Sequence, residues 1–294
     1  MSSFIKKNRF IRFIFFPVIH LRRKKAKAVH DGLNTLFDRF IEKVKAGEIT
    51  LQADHFKGTF TMGIQTGIVK RYLLYGEYEQ KLTELVIDHV DKNRDVIDVG
   101  ANIGLFTVLS AKLVSHNRKV LAIEPTENAL YYLRKNISQN ECGEKVLIFS
   151  GVAADNPGTF TINSVVGKEE YSSLGKLDHE DAAGLTSVQV EVLGETIDSL
   201  VKKDGLEPGF IKIDTEGAEY SVLSGAMQTI KKHRPVILSE VSDRLLKSQN
   251  SSSAALFHLL RTLNYTIYEA YTLAEVNRDV FDGDIIAFPN NQES

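Results

Sequence analysis

Four acidic residues that end predicted strands are the most informative feature of the sequence. Asp98 precedes a glycine turn, Glu124 ends the next strand, and Asp214 and Glu240 end two strands farther along the chain. Ligands of open parallel sheets bind at the carboxyl ends of the strands. We therefore expect these carboxylates to gather at one sheet edge, where they can bind a ligand that carries positive charge or hydroxyl groups.

The segment DVIDVGANIGLFT, residues 95–107, predicts a buried strand, a tight turn and the start of a helix. Gly100 and Gly104 lie in the turn, where glycine lets the backbone approach a ligand closely. A dinucleotide site needs G-x-G-x-x-G, whereas the spacing here is G-x-x-x-G. The Asp98 carboxylate would repel a pyrophosphate and suits the ammonium and sulfonium of S-adenosylmethionine. The alternative is a structural turn, since such glycines also serve close packing.

Glu124 ends the strand KVLAIEP, residues 119–125, one βα unit after the glycine turn. An acid at this position can accept hydrogen bonds from both ribose hydroxyls of an adenosine. NAD sites use the same device, so Glu124 indicates a ribose and not a particular cofactor. The alternative is that Glu124 caps the helix that begins near Glu127.

Asp155 lies in AADNPG, just after the third predicted strand. At that edge of the sheet it is a candidate to approach the adenine amino group. The alternative is a turn residue before Pro157 and Gly158, since proline and glycine favour turns.

A third segment, GFIKIDTEGAEYSVLSGA at residues 209–226, predicts a strand, a turn at Gly217 and a helix. It carries K-I-D-x-E-G-x-E at residues 212–219. The chain also has D-V-G-A-N-x-G at residues 98–104 and G-x-Y/F-E at residues 76–79. With these three motifs in order, about residues 60–240 resemble the FkbM family of S-adenosylmethionine-dependent methyltransferases.

The resemblance implies a class I methyltransferase fold, S-adenosylmethionine as cofactor and methylation of hydroxyl groups. It also implies two further cofactor-binding residues. Asn102 lies within the glycine turn, and Glu79 belongs to the upstream segment that closes over the cofactor or the acceptor. From the residues alone, Glu79 is only part of a charged helix start after Gly76.

Methyl transfer from a sulfonium is an in-line displacement in which the protein mainly aligns donor, methyl group and nucleophile. An alcohol acceptor also benefits from a base near its hydroxyl. The candidates are Asp214, Glu216 and Glu240. For Glu216, as for Glu219, the alternative is a favourable charge at a helix N-terminus.

Asp214 and Glu240, on adjacent strand ends, could instead share a divalent metal that binds the acceptor oxygen. Two carboxylates are not a specific metal signature, and the eight histidines show no metal-ligand spacing. We therefore predict no metal site. Lys212, two residues before Asp214, could pair with an acid, and its role is not readable from the sequence.

Strands alternating with helices predict an α/β fold with a mainly parallel seven-stranded sheet, right-handed crossovers and helices on both faces. The predicted strands are residues 96–99, 120–124, 146–149, 210–214, 236–240, 266–269 and 285–288. Residues 159–192 break this rhythm and predict a β-hairpin insertion. We interpret its polar loop, residues 167–184, as a wall or lid over the site.

We divide the chain into a basic amphipathic arm at residues 1–30, a cap at 31–94 and the S-adenosylmethionine-binding domain at 95–294. In the cap, the patterns predict the following elements. They are a helix at residues 29–46, short strands at 50–75 and a helix at 80–90.

The first 30 residues hold nine Lys and Arg and no acid, although the net charge of the whole chain is −2. Apolar residues between basic clusters predict peripheral contact of residues 4–27 with an anionic membrane. The apolar run at residues 10–21 is too short to span a bilayer. The alternatives are a flexible tail and a helix packed on its own domain. Nucleic acid is not expected, because the arm carries no recognisable binding module.

Cys142 is the only cysteine, so no intrachain disulfide can form. This suits a reducing compartment. We therefore expect a cytoplasmic protein that contacts the inner face of the membrane peripherally through its arm.

The sequence thus predicts an S-adenosylmethionine-dependent O-methyltransferase that acts on a hydroxyl of a sugar, glycan or glycolipid precursor. One alternative acceptor is a polyketide-type or other small secondary metabolite. A hypothesis of another class is a non-catalytic S-adenosylmethionine-binding partner in a glycan-assembly complex. A nicotinamide oxidoreductase is disfavoured by the glycine spacing and by the acidic Asp98.

Overall fold

The computed structural model describes Gly32 and residues 47–53, 56–75, 79–165 and 187–290. The chain divides into two compact units, Met1–Gln80 and Lys81–Ser294. The predicted basic arm lies outside the described residues, as does the predicted helix at residues 29–46 apart from Gly32. In the described segments, no helix combines the length and apolar character that crossing a bilayer requires.

Within residues 47–75, the described part of the first unit contains a two-stranded antiparallel sheet followed by a helix. The strands are β1 (Glu48–Ala53) and β2 (Gly58–Gly63), and the helix is α1 (Gly67–Tyr75). The prediction of short strands is confirmed for the first part of residues 50–75 and is wrong for α1.

Helix α1 forms because its buried residues follow a helical period. Ile68, Val69 and Tyr72 are all buried, which is the spacing of one helix face and not the alternation of a strand. The Thr66 hydroxyl accepts a hydrogen bond from the Val69 N–H at 3.5 Å and so caps the first turn. The β-branched residues that suggested a strand therefore pack on one side of a helix.

Strands and helices alternate along much of the described second unit, with consecutive strands at residues 146–165 and 265–289. Its first half comprises α2 (Gln80–His89), β3 (Asp95–Val99), α3 (Leu105–Leu113), β4 (Val120–Glu124), α4 (Glu127–Gln139), β5 (Val146–Ser150), β6 (Val152–Ala153) and β7 (Gly158–Val165). Its second half comprises β8 (Ser187–Glu195), α5 (Ile197–Asp204), β9 (Pro208–Ile213), α6 (Glu219–Ser224), α7 (Met227–His233), β10 (Val236–Ser242), α8 (Asp243–Ser248), α9 (Ser253–Thr262), β11 (Tyr265–Glu269) and β12 (Asp282–Pro289).

All seven predicted core strands lie in one seven-stranded sheet with the order β11-β12-β10-β9-β3-β4-β5. The five strands β10, β9, β3, β4 and β5 run parallel to one another, and β12 is antiparallel to both β10 and β11. Every residue of β3, β4 and β9 is buried, so both faces of the sheet centre are covered. The prediction of a mainly parallel α/β sheet is confirmed.

The predicted hairpin insertion is also present. Strands β7 and β8 pair antiparallel, from Gly158 opposite Gly194 to Val165 opposite Ser187. The two-residue strand β6 adds to β8 in parallel and was not predicted, because two residues carry no periodicity. The polar loop between β7 and β8 lies outside the described residues.

Candidate active site

The N–H groups of the glycine turn between β3 and α3 donate hydrogen bonds to other parts of the protein. The N–H groups of Gly100 and Ala101 both donate to the Ile123 carbonyl at 3.0 Å. The Asn102 N–H donates to Oε2 of Glu124 at 2.9 Å. A turn that holds a pyrophosphate presents such N–H groups to its ligand. The local geometry therefore agrees with the glycine spacing in disfavouring a dinucleotide.

Both glycines of the turn are required by packing. Gly100 has φ +75°, and a Cβ on it would lie 1.8 Å from the Asp214 carbonyl oxygen. Gly104 has φ +91°, and a Cβ there would lie 2.6 Å from Cδ1 of Leu133. The structural alternative for these glycines thus holds. The packing of Gly100 also brings the turn after β3 against Asp214.

Asp98 lies beneath this turn, with only 1% of its surface exposed. Its Oδ2 accepts a hydrogen bond from the Thr107 hydroxyl at 2.6 Å, and its Oδ1 lies 3.9 Å from Nζ of Lys212. Burial raises the pKa of Asp98, while the Lys212 ammonium and the Thr107 hydrogen bond lower it. Its charge would therefore act on a ligand across the turn and not from an exposed surface.

Glu124 ends β4 and binds two main-chain segments. Its Oε1 accepts hydrogen bonds from the N–H of Thr126 at 2.9 Å and from the Thr126 hydroxyl at 2.6 Å. Its Oε2 accepts the bond from Asn102 described above. Burial raises the pKa of Glu124, and these hydrogen bonds lower it. Glu124 thus ties the glycine turn to Thr126, the residue before α4, and Oε2 retains a lone pair that can receive a ribose hydroxyl.

Lys212 is the central cation of the site, and its role was not readable from the sequence. It lies on β9 in register with Asp98 of the neighbouring strand β3, and it is buried. Nζ of Lys212 lies 3.1 Å from Oδ2 of Asp214 and 3.4 Å from the Gly100 carbonyl oxygen. It also stands over the Phe106 ring, 4.8 Å from the ring centroid. The one sequence signal was a lysine within an otherwise buried apolar strand, on the same strand face as Asp214.

Three carboxylates gather near the carboxyl ends of β9 and β10. Asp214, Glu216 and Glu240 can each present an oxygen atom within 4.8 Å of the other two. The structure therefore brings together the three residues predicted as candidates for the base. Such a separation would also suit a divalent cation bound by oxygen atoms. The prediction of no metal stays a prediction.

The prediction that Glu240 ends its strand is wrong by two residues. Strand β10 continues to Ser242, because β12 pairs with it through Ser242 opposite Asp282. The charge of Asp214 is the largest cause that raises the pKa of Glu240, followed by desolvation and by the charge of Glu216. Glu240 exposes part of its side chain, but its carboxyl group is crowded by these acids and hydrogen-bonds to Asp214. The pair thus favours holding one proton in common.

Glu219 has a structural role. Its Oε1 accepts three hydrogen bonds: from the Thr215 N–H at 3.1 Å, the Thr215 hydroxyl at 2.9 Å and the Gly217 N–H at 3.0 Å. Only 2% of its surface is exposed, and burial raises its pKa. Glu219 therefore shapes the turn that leads into α6. Glu216 has a left-handed φ of +53° in that turn.

Two further predicted cofactor residues, Asp155 and Glu79, lie on other segments of the chain. Asp155 is exposed, and its N–H donates to the Ser221 hydroxyl at 3.0 Å. Glu79 belongs to the first unit and has a left-handed φ of +49°. The roles assigned to Asp155 and Glu79 stay predictions.

The fold and the site together define a class of protein. A seven-stranded sheet with this order, a glycine turn after β3 and acids at the ends of β4 and β9 make a class I methyltransferase-like α/β domain. The sequence model of the methyltransferase FkbM domain matches residues 98–267, more than half of the chain. The chain belongs to this family, and the resemblance stated from its motifs is confirmed.

Three relatives each share less than 30% sequence identity with this chain. The methyltransferase sdnD of Sordaria araneosa is 29% identical in an alignment of 174 residues, and the match covers 50% of this chain and 67% of that protein. The crystal structure of a methyltransferase FkbM from Methylobacillus flagellatus is 16% identical, with a TM-score of 0.43. That match covers 75% of this chain and about half, 52%, of the other. An O-methyltransferase from Bacillus cereus in complex with SAH is 18% identical, with a TM-score of 0.40 over 71% of this chain and 79% of the other.

Proposed function

We propose that this protein transfers a methyl group from S-adenosylmethionine to a hydroxyl group of a carbohydrate acceptor. The observation that carries the proposal is the packing of Gly100 against Asp214. It joins the turn predicted to hold the donor to the acids predicted to receive the acceptor. Membership of the FkbM methyltransferase domain family supports the reaction type.

The donor would bind at the carboxyl edge, along β3 and β4. The buried charge of Asp98 favours the cationic amino-acid part of the donor, and Oε2 of Glu124 can receive a ribose hydroxyl. Asp155, after β5 and β6, is the proposed partner of the adenine amino group. These assignments agree with the absence of free turn N–H groups at Gly100, Ala101 and Asn102, which a pyrophosphate would need.

The reaction itself needs alignment and one proton acceptor. The acceptor oxygen attacks the methyl carbon, the carbon–sulfur bond breaks and its electron pair goes to sulfur. The hydroxyl proton passes to a carboxylate. Lys212 favours the ionised form of Asp214, while the raised pKa of Glu240 favours its protonated form. We therefore assign the base to Asp214, with Glu240 and Glu216 orienting the acceptor.

The acid cluster also supports the choice of acceptor. Carboxylate oxygens accept several hydrogen bonds each, and a sugar presents several adjacent hydroxyl donors. Three carboxylates within 4.8 Å of one another can therefore bind neighbouring hydroxyls and leave one oxygen near the reacting group. We propose a glycan or glycolipid precursor as the acceptor class, at the cytoplasmic side of a membrane.

Binding and turnover test this function separately. Calorimetric titration with S-adenosylmethionine, S-adenosylhomocysteine and NAD should show micromolar affinity for the first two compounds only. Formation of S-adenosylhomocysteine should then be measured with nucleotide sugars, lipid-linked sugars and polyketide-type phenols as acceptors. Binding without turnover on any acceptor would favour the non-catalytic alternative. Binding of NAD alone would overturn the cofactor.

The base assignment has its own control. Asp214→Asn removes the proton acceptor with little change in size, and turnover should fall by about 100-fold or more. Asp204→Asn makes the same chemical change at an exposed residue at the end of α5 and should leave turnover unchanged. Full activity of Asp214→Asn would move the base to Glu216 or Glu240.

A further inference from the structure

We propose that Lys212 sets the charge balance of the site and thereby limits its preference for the cationic donor over the neutral product. This inference rests on the proposed function, since it needs S-adenosylmethionine as the donor. It assigns a specificity-determining role to a residue whose side chain lies beneath the site.

The contacts of Lys212 place one cation between two carboxylates. Its Nζ lies 3.1 Å from Oδ2 of Asp214 and 3.9 Å from Oδ1 of Asp98. Its side chain is 8% exposed, and that of Asp98 is 1% exposed. Water therefore screens Lys212 and Asp98 poorly, so these two charges act strongly on a nearby ligand, whereas Asp214, at 33% exposed, is screened more.

The side chain is held in this position from several directions. The Gly100 carbonyl lies 3.4 Å from Nζ, and the Phe106 ring faces the ammonium at 4.8 Å. The strand register sets Lys212 beside Asp98, and Asp214 follows two residues later on the same strand face. The ammonium thus touches the glycine turn, the acid beneath it and the acid at the end of β9.

The charges of this group can be counted. With both carboxylates ionised and the lysine protonated, Asp98, Asp214 and Lys212 carry a net charge of −1. Without the lysine the same group would carry −2. During methyl transfer the sulfur loses its positive charge, because the electron pair of the broken bond returns to it. A more negative site would therefore stabilise the sulfonium ground state more than the transition state, which slows the reaction.

The test compares the dissociation constants of S-adenosylmethionine and S-adenosylhomocysteine by calorimetry. The two ligands share every group except the methyl group and the charge on sulfur, so their ratio reports the field at the sulfur. At about pH 8, Lys212→Met should increase the preference for S-adenosylmethionine by about tenfold. Lys212→Arg, which keeps the cation, should stay within about threefold of the wild type.

A charge-compensating double variant distinguishes the effect of the Lys212 charge on the ligand from the loss of the Lys212 contacts. Asp98→Asn should lower the preference for S-adenosylmethionine, because it removes a negative charge. The double variant Asp98→Asn with Lys212→Met again carries −1 and should return close to the wild-type ratio. If Lys212→Met alone does not fold, the step from Asp98→Asn to the double variant measures the same lysine effect in a neutralised background.

The outcomes are distinct. Equal weakening of both ligands in Lys212→Met, with an unchanged ratio, would overturn the proposal and leave Lys212 a structural role. An unchanged ratio on the step from Asp98→Asn to the double variant would also overturn it. If the wild-type protein binds neither ligand, the proposed function fails, whatever the variants do. Lys247→Met removes a lysine–aspartate ion pair from α8, with Asp243, and should leave the ratio unchanged.

Discussion

Gly100 packs directly against the main-chain carbonyl of Asp214. A Cβ at Gly100 would come within 1.8 Å of that oxygen, and the Asp214 N–H in turn donates to the Val99 carbonyl at 3.0 Å. The turn that follows β3 and the residue that follows β9 thus form one continuous main-chain contact. The predicted donor and acceptor halves of the site cannot be separated without breaking it.

Gly100→Ala should therefore damage both stability and donor binding. The new methyl group would meet the main chain of Asp214, and the residue would have to hold a φ of +75°. We expect a loss of about 3 kcal/mol in the free energy of unfolding, measured by urea titration. Gly143→Ala is the matched control, since a Cβ there meets nothing within 4 Å, and it should change stability by less than about 0.5 kcal/mol.

Glu124→Ala should weaken S-adenosylmethionine binding by about tenfold to 100-fold. The substitution removes the acceptor of the Asn102 N–H and of both Thr126 donors, as well as the proposed acceptor for the ribose. Calorimetric titration checks this, with the exposed Glu144 changed to Ala as the control. Unchanged affinity in Glu124→Ala would remove Glu124 from the donor site.

Glu219→Ala and Glu219→Gln should differ in stability. Alanine leaves the N–H groups of Thr215 and Gly217 without their acceptor, which should cost about 1–3 kcal/mol. Glutamine keeps a side-chain oxygen in the same place and should cost less. Thermal unfolding of the two variants distinguishes these cases. Equal stability of the two would show that Glu219 does not hold its turn through these bonds.

The start of α9 should be sensitive to acid. Hydrogen bonds from Lys247 and Ser253 lower the pKa of Asp243 to about 2. Because the folded pKa lies below the unfolded value of about 3.9, the stabilisation is complete above about pH 4 and is lost as the pH falls towards 2. Asp243→Asn keeps an acceptor for Ser253 but cannot titrate. It should be less stable than the wild type near neutral pH and should lose less stability on acidification, followed by urea titration at several pH values.

The sheet was predictable because its strands are short, buried and bounded by turns. The predicted bounds of all seven strands of the main sheet lie within a few residues of the observed ones, and Asp98, Glu124 and Asp214 lie toward the same edge, as predicted. Helix α1 was missed, because its β-branched residues outweighed a weak helical period. That period became clear only from which of its residues are buried.

The acidic residues of the site could be predicted from the sequence, whereas the position of its lysine could not. The acids can be recognised in the linear sequence because they follow predicted strands. The position of Lys212 beside Asp98 depends on the register of β9 against β3, which the sequence does not give. The different roles of Glu216 and Glu219 were likewise hidden. Both lie near a helix start, and the contacts that assign Glu219 to the turn, from the Thr215 and Gly217 N–H groups, are visible only in the structure.

The pairing of β10 with β12 sets Glu240 opposite Asp284, and the pairing of β10 with β9 ends one residue earlier, at Ser239. Strand pairing of this kind leaves little freedom for a residue to drift when surrounding sequence changes. The Glu240 carboxyl group can therefore stay in place while connecting segments vary in length and composition. A protein built this way can acquire a new acceptor by altering its loops, and each altered version would keep the proposed acceptor-orienting acid.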